Sequence, residues 1–140
     1  MPEFRFEILG APTPKERPRF NTTTKKVYTP KKTAGAEKEV ALVAKQAYKR
    51  AGHKGVIAVA VSVDLIFVRA MPKAWSKQTK VDMDSEFCVI GFDIDNATKL
   101  VFDAINNAGI WADDRLVAEV RAVKIWGDVA KTEVVVRWKI

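Results

Sequence analysis

One cysteine, Cys88, and one histidine, His53, stand in a chain of 140 residues. A lone cysteine closes no internal disulfide and builds no Cys-rich zinc site, so a reducing cytoplasm is the expected compartment. A lone histidine excludes every site that needs two, and metal chemistry must then rest on carboxylates. Long hydrophobic runs are missing as well. The longest candidate, Val56 to Val68, is broken by Ser62 and Asp64, short of the roughly 18 apolar residues of a membrane span. Met1-Pro2-Glu3-Phe4-Arg5 has neither the basic nor the apolar segment of a secretory signal. Neither G-x-x-x-x-G-K-[ST] nor G-x-G-x-x-G occurs, so no nucleotide cofactor and no membrane partner are expected. Repeats and low-complexity tracts are also lacking.

What remains is 48% hydrophobic and 29% charged, the make-up of a soluble globular chain. Its length suits one domain, 1–140. The net charge of +7 is unevenly spread: residues 1–54 hold 13 Lys and Arg against 5 Asp and Glu, and residues 55–140 hold 11 against 12. The densest stretch runs from Lys15 to Lys32, where Lys15, Arg17, Arg19, Lys25, Lys26, Lys31 and Lys32 face only Glu16. Such a cluster gathers polyanions and releases counterions when it meets phosphates. It also serves as a plain solubilising face. Interleaved Phe20 and Tyr28, with prolines holding the segment open, favour a nucleic-acid arm.

Along the chain, Phe4 to Ile8 alternates as a short strand. Residues 10–32, with Pro12, Pro14, Pro18 and Pro30, read as a long basic loop. Val40, Val43, Ala44, Ala47, Tyr48 and Ala51 form an unbroken apolar stripe, which predicts a helix over about Ala34 to Arg50 with Gly52 as its stop. Val56 to Arg69, rich in β-branched residues, predicts a central strand. Residues 71–92 show no clean period and read as a second long loop. Ala97, Val101, Ala104, Ile105 and Ala108 mark another helix, from Asp95 to about Asn107, ended by Gly109. Leu116 to Trp126 and Thr132 to Ile140 read as closing strands. The order β-α-β-α-β-β implies an α/β (α+β) fold, a mixed sheet of about four strands covered by two main helices.

Two acidic clusters lie at element ends, where side chains are presented rather than packed. In Phe92-Asp93-Ile94-Asp95-Asn96, an extended entry to the helix turns Asp93 and Asp95 to one side and Ile94 to the core. Lys99 follows one turn later. Trp111-Ala112-Asp113-Asp114-Arg115 lies on the loop leaving the same helix. Hard divalent cations take several oxygen ligands, and aspartates from different elements can hold Mg²⁺ against a phosphodiester. A nearby lysine neutralises charge built up in the transition state. The spacing is equally met by a plain arrangement: Asp95 as a cap, Lys99 as an i,i+4 partner worth about 0.3–0.5 kcal/mol, Asp113-Asp114 as a turn and Asp103 as an exposed helix residue.

Taken together, Asp93-Ile-Asp95-Asn96-x-x-Lys99, Phe102-Asp103-Ala104 and Ala108-Gly109-x-Trp111-x-Asp113-Asp114 resemble the RusA family of Holliday junction resolvases. Gly10-x-Pro12-x-Pro14-Lys15-x-Arg17-Pro18-Arg19 is similar to the phage-type members. The resemblance implies a Mg²⁺-dependent homodimeric endonuclease (Mn²⁺ a substitute) that nicks a four-way DNA junction at two symmetric positions. It implies that Asp93, Asp95 and Asp114, with Asp113 beside them, bind metal and that Lys99 is the catalytic lysine. A bacterial cytoplasm, with a phage or prophage gene, is the implied setting. Two departures stand out. Val89-Ile90-Gly91-Phe92 replaces the family's basic residue and proline before the first aspartate, so phosphate contact there is expected from Lys77 or Lys80. Ala97 replaces the usual leucine. Two other readings stay open: a non-catalytic branched- or single-strand DNA-binding module using Lys15 to Lys32 and Trp75, and a nuclease acting on flaps or forks.

Overall fold

A computed structural model describes residues 1–139. Along them run β1 (Glu3–Leu9), β2 (Arg19–Asn21), β3 (Lys26–Tyr28), α1 (Lys31–Arg50), β4 (Val61–Ala70), α2 (Lys77–Met83), α3 (Ile94–Ala108), a 3-10 turn (Asp114–Leu116), β5 (Val117–Gly127) and β6 (Lys131–Trp138). Among the described residues four strands make one sheet in the order β1-β6-β4-β5. β6 runs antiparallel to both β1 and β4, while β4 and β5 are parallel. β1, β4 and β5 therefore share one direction, and α1 and α3 are the crossover helices that parallel strands require. This is the mixed sheet with two covering helices that the residue pattern implies.

Alternation sets the layers. On β4, Val61, Val63, Leu65 and Phe67 are buried while Ser62, Asp64 and Ile66 are half-buried. The buried set meets Phe4 and Phe6 of β1, Val134 and Val136 of β6, and the inward stripes of the helices: Val40, Ala44 and Tyr48 from α1; Ala97, Leu100, Val101, Ala104 and Ile105 from α3. Ala44, Ala104 and Ile105 are fully inaccessible, so the two helices lie close to each other and to the sheet. Ala97, the small residue at the start of α3, is 1% exposed and belongs to this contact. His53 is structural: its Nε2 lies 2.9 Å from the Glu3 carbonyl and its ring meets Trp138 edge-on.

Three boundaries differ from the sequence reading, each for a local reason. The central strand begins at Val61 rather than Val56, because Ile57 is held beside the α3–β5 connection. Its N–H donates to the Ile110 carbonyl at 2.8 Å, and its own carbonyl accepts from Ala112 at 3.1 Å. Residues 10–32 are not all loop: β2 and β3 form a hairpin, turned by the Asn21 side chain accepting from the Thr23 and Thr24 amides at 2.9 and 3.1 Å, and α1 starts at Lys31. Within 71–92 lies α2, capped by Ser76 accepting from Thr79 at 3.1 Å. Trp75 packs on Trp126 with ring centroids 4.9 Å apart. The last predicted strand residue, Ile140, lies outside the described residues.

Candidate active site

The N-terminus of α3 positions the first acidic pair. Asp93 takes the cap position with extended backbone (φ −77°, ψ 136°), and among the described residues its side chain makes no capping bond. Ile94 turns toward the core, and Asp93 and Asp95 are both exposed. Asp95 lies in the first helical turn, where its Oδ1 accepts from the Asn96 amide at 3.0 Å. Negative charge is favoured at this end of a helix. Just upstream, the backbone of Gly91 has φ +99°, and a Cβ there would stand 2.5 Å from Arg69 Nη1. Arg69, from β4, thus brings positive charge beside the segment where the sequence has no basic residue. Lys124 Nζ donates to the Phe92 carbonyl and sits 4.8 Å over the Phe92 ring.

Lys99 joins α3 to the second acidic cluster. Its Nζ lies 3.2 Å from Asp114 Oδ2 and 3.2 Å from Asp103 Oδ1. The bonds to Asp103 and Asp114 hold its pKa above the ordinary 10.5, so it stays cationic at neutral pH. Asp114 is further approached by Asn106 Nδ2 at 3.5 Å. The Asn106 carbonyl oxygen accepts from the indole N–H of Trp111. Trp111 is 1% exposed, seated edge-on against Phe102 at 5.6 Å, so it is a fixed post for the Asn106 amide. Asp113 caps the 3-10 turn, accepting from the Arg115 amide at 2.9 Å. That backbone bond, then a bond with Asp114, lowers its pKa.

The other oxygen of Asp103, Oδ2, lies 3.3 Å from Lys15 Nζ, and Lys15 is also bonded to Glu37 of α1. The Lys15 amide donates to the Asn96 carbonyl at 2.9 Å, and the Glu16 amide to Thr33 Oγ1 at 3.3 Å. The proline-rich segment is thereby strapped across α1 and α3, and one carboxylate, Asp103, serves both Lys15 and Lys99. Glu37 and Asn106 are residues that sequence reasoning missed, and Asp103, read there as an exposed helix residue, is half-buried between two lysines. Their signal was faint: Asp95, Lys99 and Asp103 recur at four-residue steps, and Asn106 follows three later. Nothing in the sequence pointed to Glu37.

The remaining basic candidates are dispersed. Arg17, Arg19, Lys25 and Lys26 are exposed on the arm and its hairpin, with Arg19 3.3 Å from Glu16. Lys77 and Lys80 lie on α2. For a metal, the donor chemistry suits a hard divalent cation: carboxylate oxygens on one helix end and on a neighbouring turn, open to water. Among the described residues no three His, Cys, Asp or Glu side chains converge on one point. The carboxylates are therefore held apart, with Lys99 on Asp114 where a cation would compete.

An exposed pair of aspartates at the start of α3, and a third aspartate braced by Asn106 and paired with Lys99, stand on a small α+β domain. The model of the endodeoxyribonuclease RusA family matches residues 10–137, and the chain belongs to that family. It is 31% identical over 139 residues, 95% of this chain and 94% of the relative, to the uncharacterized protein YqaN of Bacillus subtilis (strain 168). It is 52% identical over 33 residues, 24% of this chain and 28% of the relative, to the crossover junction endodeoxyribonuclease RusA of Escherichia coli O139:H28 (strain E24377A / ETEC).

Proposed function

We propose that the chain is a Mg²⁺-dependent endodeoxyribonuclease that resolves four-way DNA junctions as a homodimer, by paired symmetric nicks. Membership of an endodeoxyribonuclease family supports the reaction class, and the relative named a crossover junction endodeoxyribonuclease supports the substrate. The observation that carries the site assignment is the Lys99–Asp114 contact at 3.2 Å, which ties the acidic start of α3 to the acidic turn before β5. A two-fold enzyme on a two-fold substrate places one site on each of two opposing strands.

Asp93, Asp95 and Asp114, with Asp113 beside them, would hold Mg²⁺, or Mn²⁺ in its place. The bound ion supplies an activated water and charge neutralisation at the phosphate. Lys99, held protonated by Asp103 and Asp114, offers its ammonium to a non-bridging phosphate oxygen when the substrate displaces one of those partners. Asp103 keeps Lys99 aimed outward meanwhile. Trp111 fixes Asn106, and Asn106 holds the orientation of Asp114. Arg69 and Lys124 set positive charge near the entry to Asp93, and the exposed Arg17, Arg19, Lys25, Lys26 and Lys77, with the half-buried Lys80, extend it along the DNA. A bacterial cytoplasm, with a phage or prophage gene, is the setting in which branched DNA of this kind arises.

Asp95→Asn tests the assignment. It removes a ligand and a negative charge facing phosphates, so Mg²⁺-dependent cleavage is lost while junction binding persists or tightens. Cleavage at the parental rate would overturn the site. Comparing four-way, three-way, flap and linear duplex substrates separates junction resolution from fork or flap cleavage.

A further inference from the structure

We infer that the outer face of α1 is a lysine rail that tracks the phosphate backbone of a duplex arm leaving the active site. The inference rests on the branched-DNA reading above and extends it to a surface outside the catalytic cluster.

At 100° per residue, positions 31, 38, 45 and 49 of a helix fall within about 40° of one another. In α1 these positions are Lys31, Lys38, Lys45 and Lys49, and all four are exposed. The row spans about 27 Å at 1.5 Å per residue, the length of about eight base pairs. The exposed acid of the helix, Glu39, lies about 80–120° off the lysines of the row. Its other acid, Glu37, is buried and bonded to Lys15. Among the described residues none of the four lysines makes an ion pair. The positive charge is therefore uncompensated along the full length of the helix.

Helix stability does not account for the row. Lys49 lies in the last turn, where the helix dipole favours cations, but Lys31 and Lys32 occupy the first turn, which has no acidic residue. Cations there oppose the dipole. A phosphate arriving at that end would be favoured by both the lysines and the helix end.

The placement fits one substrate arm. α1 packs beside α3, and both run in the same sense, since α1 lies on the crossover from β1 to β4 and α3 on the crossover from β4 to β5, strands of common direction. The rail thus lies one helix over from Lys99 and parallel to the row that carries it. Upstream of its start in the chain stand the exposed Lys25 and Lys26 of the hairpin. At its end, Lys45 and Lys49 line a cavity of about 500 Å³ with Lys54, adding a further cation beyond Gly52.

The test replaces Lys31, Lys38, Lys45 and Lys49 together with Gln, which keeps helix propensity. Binding to a four-way junction and to a linear duplex is measured in EDTA across a salt series, with circular dichroism as the folding check. Four phosphate contacts contribute about 3.6 to the slope of log K against log salt, so the slope falls by about 3 to 4 for both substrates. A control with the same loss of charge, Arg5→Gln, Arg121→Gln, Lys131→Gln and Lys139→Gln, keeps the parental slope. An unchanged slope in the rail variant, or an equal fall in the control, overturns the rail. A parent that binds no DNA at low salt overturns the rail and the branched-DNA reading together. A parent that binds but never nicks overturns the nuclease reading alone, and the slopes still decide the rail.

Discussion

Replacing Lys15 by Met separates two roles for the most deeply seated basic residue of the arm. The Lys15 side chain is 21% exposed, and it faces Glu37 at 11% and Asp103 at 20%. Removing the cation leaves two shielded carboxylates side by side and takes the ion pairs out of the strap across α1 and α3, whose backbone bonds to Asn96 and Thr33 remain. Breaking a fully buried pair costs about 3–5 kcal/mol. With this partial exposure, about 2 kcal/mol is expected, a fall of about 4–8 °C in Tm for a chain of this size. The pH dependence has a definite sign. Burial alone lowers the Lys15 pKa, but the bonds from Glu37 and Asp103 outweigh it and hold it above 10.5. A raised folded value gives stabilisation that is complete below about pH 10.5 and lost as pH climbs through the folded pKa. Thermal scans of parent and variant therefore show a constant gap at neutral and mildly alkaline pH, closing only above about 10.5. A variant with the parental Tm but weakened junction binding would refute this reasoning and return Lys15 to the phosphate contacts.

Three other outcomes follow from the site. Asn106→Ala removes the brace on Asp114 and lowers single-turnover nicking by about 10–100-fold with junction binding intact; Trp111→Phe acts in the same direction, and the double variant is no worse than Asn106→Ala alone. Gly91→Ala forces a Cβ to 2.5 Å from Arg69 at φ +99°, so it costs about 1 kcal/mol or more, read as a lower Tm. Because Asp103 and Asp114 raise the Lys99 pKa above 10.5, the pH–rate profile shows no loss from this lysine at mildly alkaline pH; a fall assigned to Lys99 near neutral pH, by its disappearance in Lys99→Arg, contradicts the pairing.

Where one face of an element is buried, the chain announced it. The stripe Val40, Val43, Ala44, Ala47, Tyr48 gave α1 its place to within a turn, and Gly109, with φ +70°, ended α3 as expected. Elements without a buried face were silent: α2 has no buried residue and β2 and β3 are exposed throughout, so no hydrophobic period marked them. The start of β4 was misplaced because Val56 and Ile57 look like strand, and only the distant Ile110 and Ala112 decide otherwise. At the site, local spacing put Asp93, Asp95 and Lys99 on one element. The bonds from Lys99 to Asp114, from Lys15 to Glu37 and from Trp111 to Asn106 depend on how α1, α3 and the 3-10 turn meet, which no local pattern encodes. The position of β6 between β1 and β4 is of the same kind, since it closes the sheet with the last strand in the chain.

The most direct test of the central claim is a nicking assay on a synthetic four-way junction with fixed arms and a short mobile core, each strand labelled in turn, in Mg²⁺ and in EDTA. Paired nicks at symmetric positions on two opposing strands, absent in EDTA and absent in Asp95→Asn, are expected. Tight binding with no nicks in Mg²⁺ or Mn²⁺ would contradict it, and would leave a branched-DNA-binding module whose aspartates serve the fold alone.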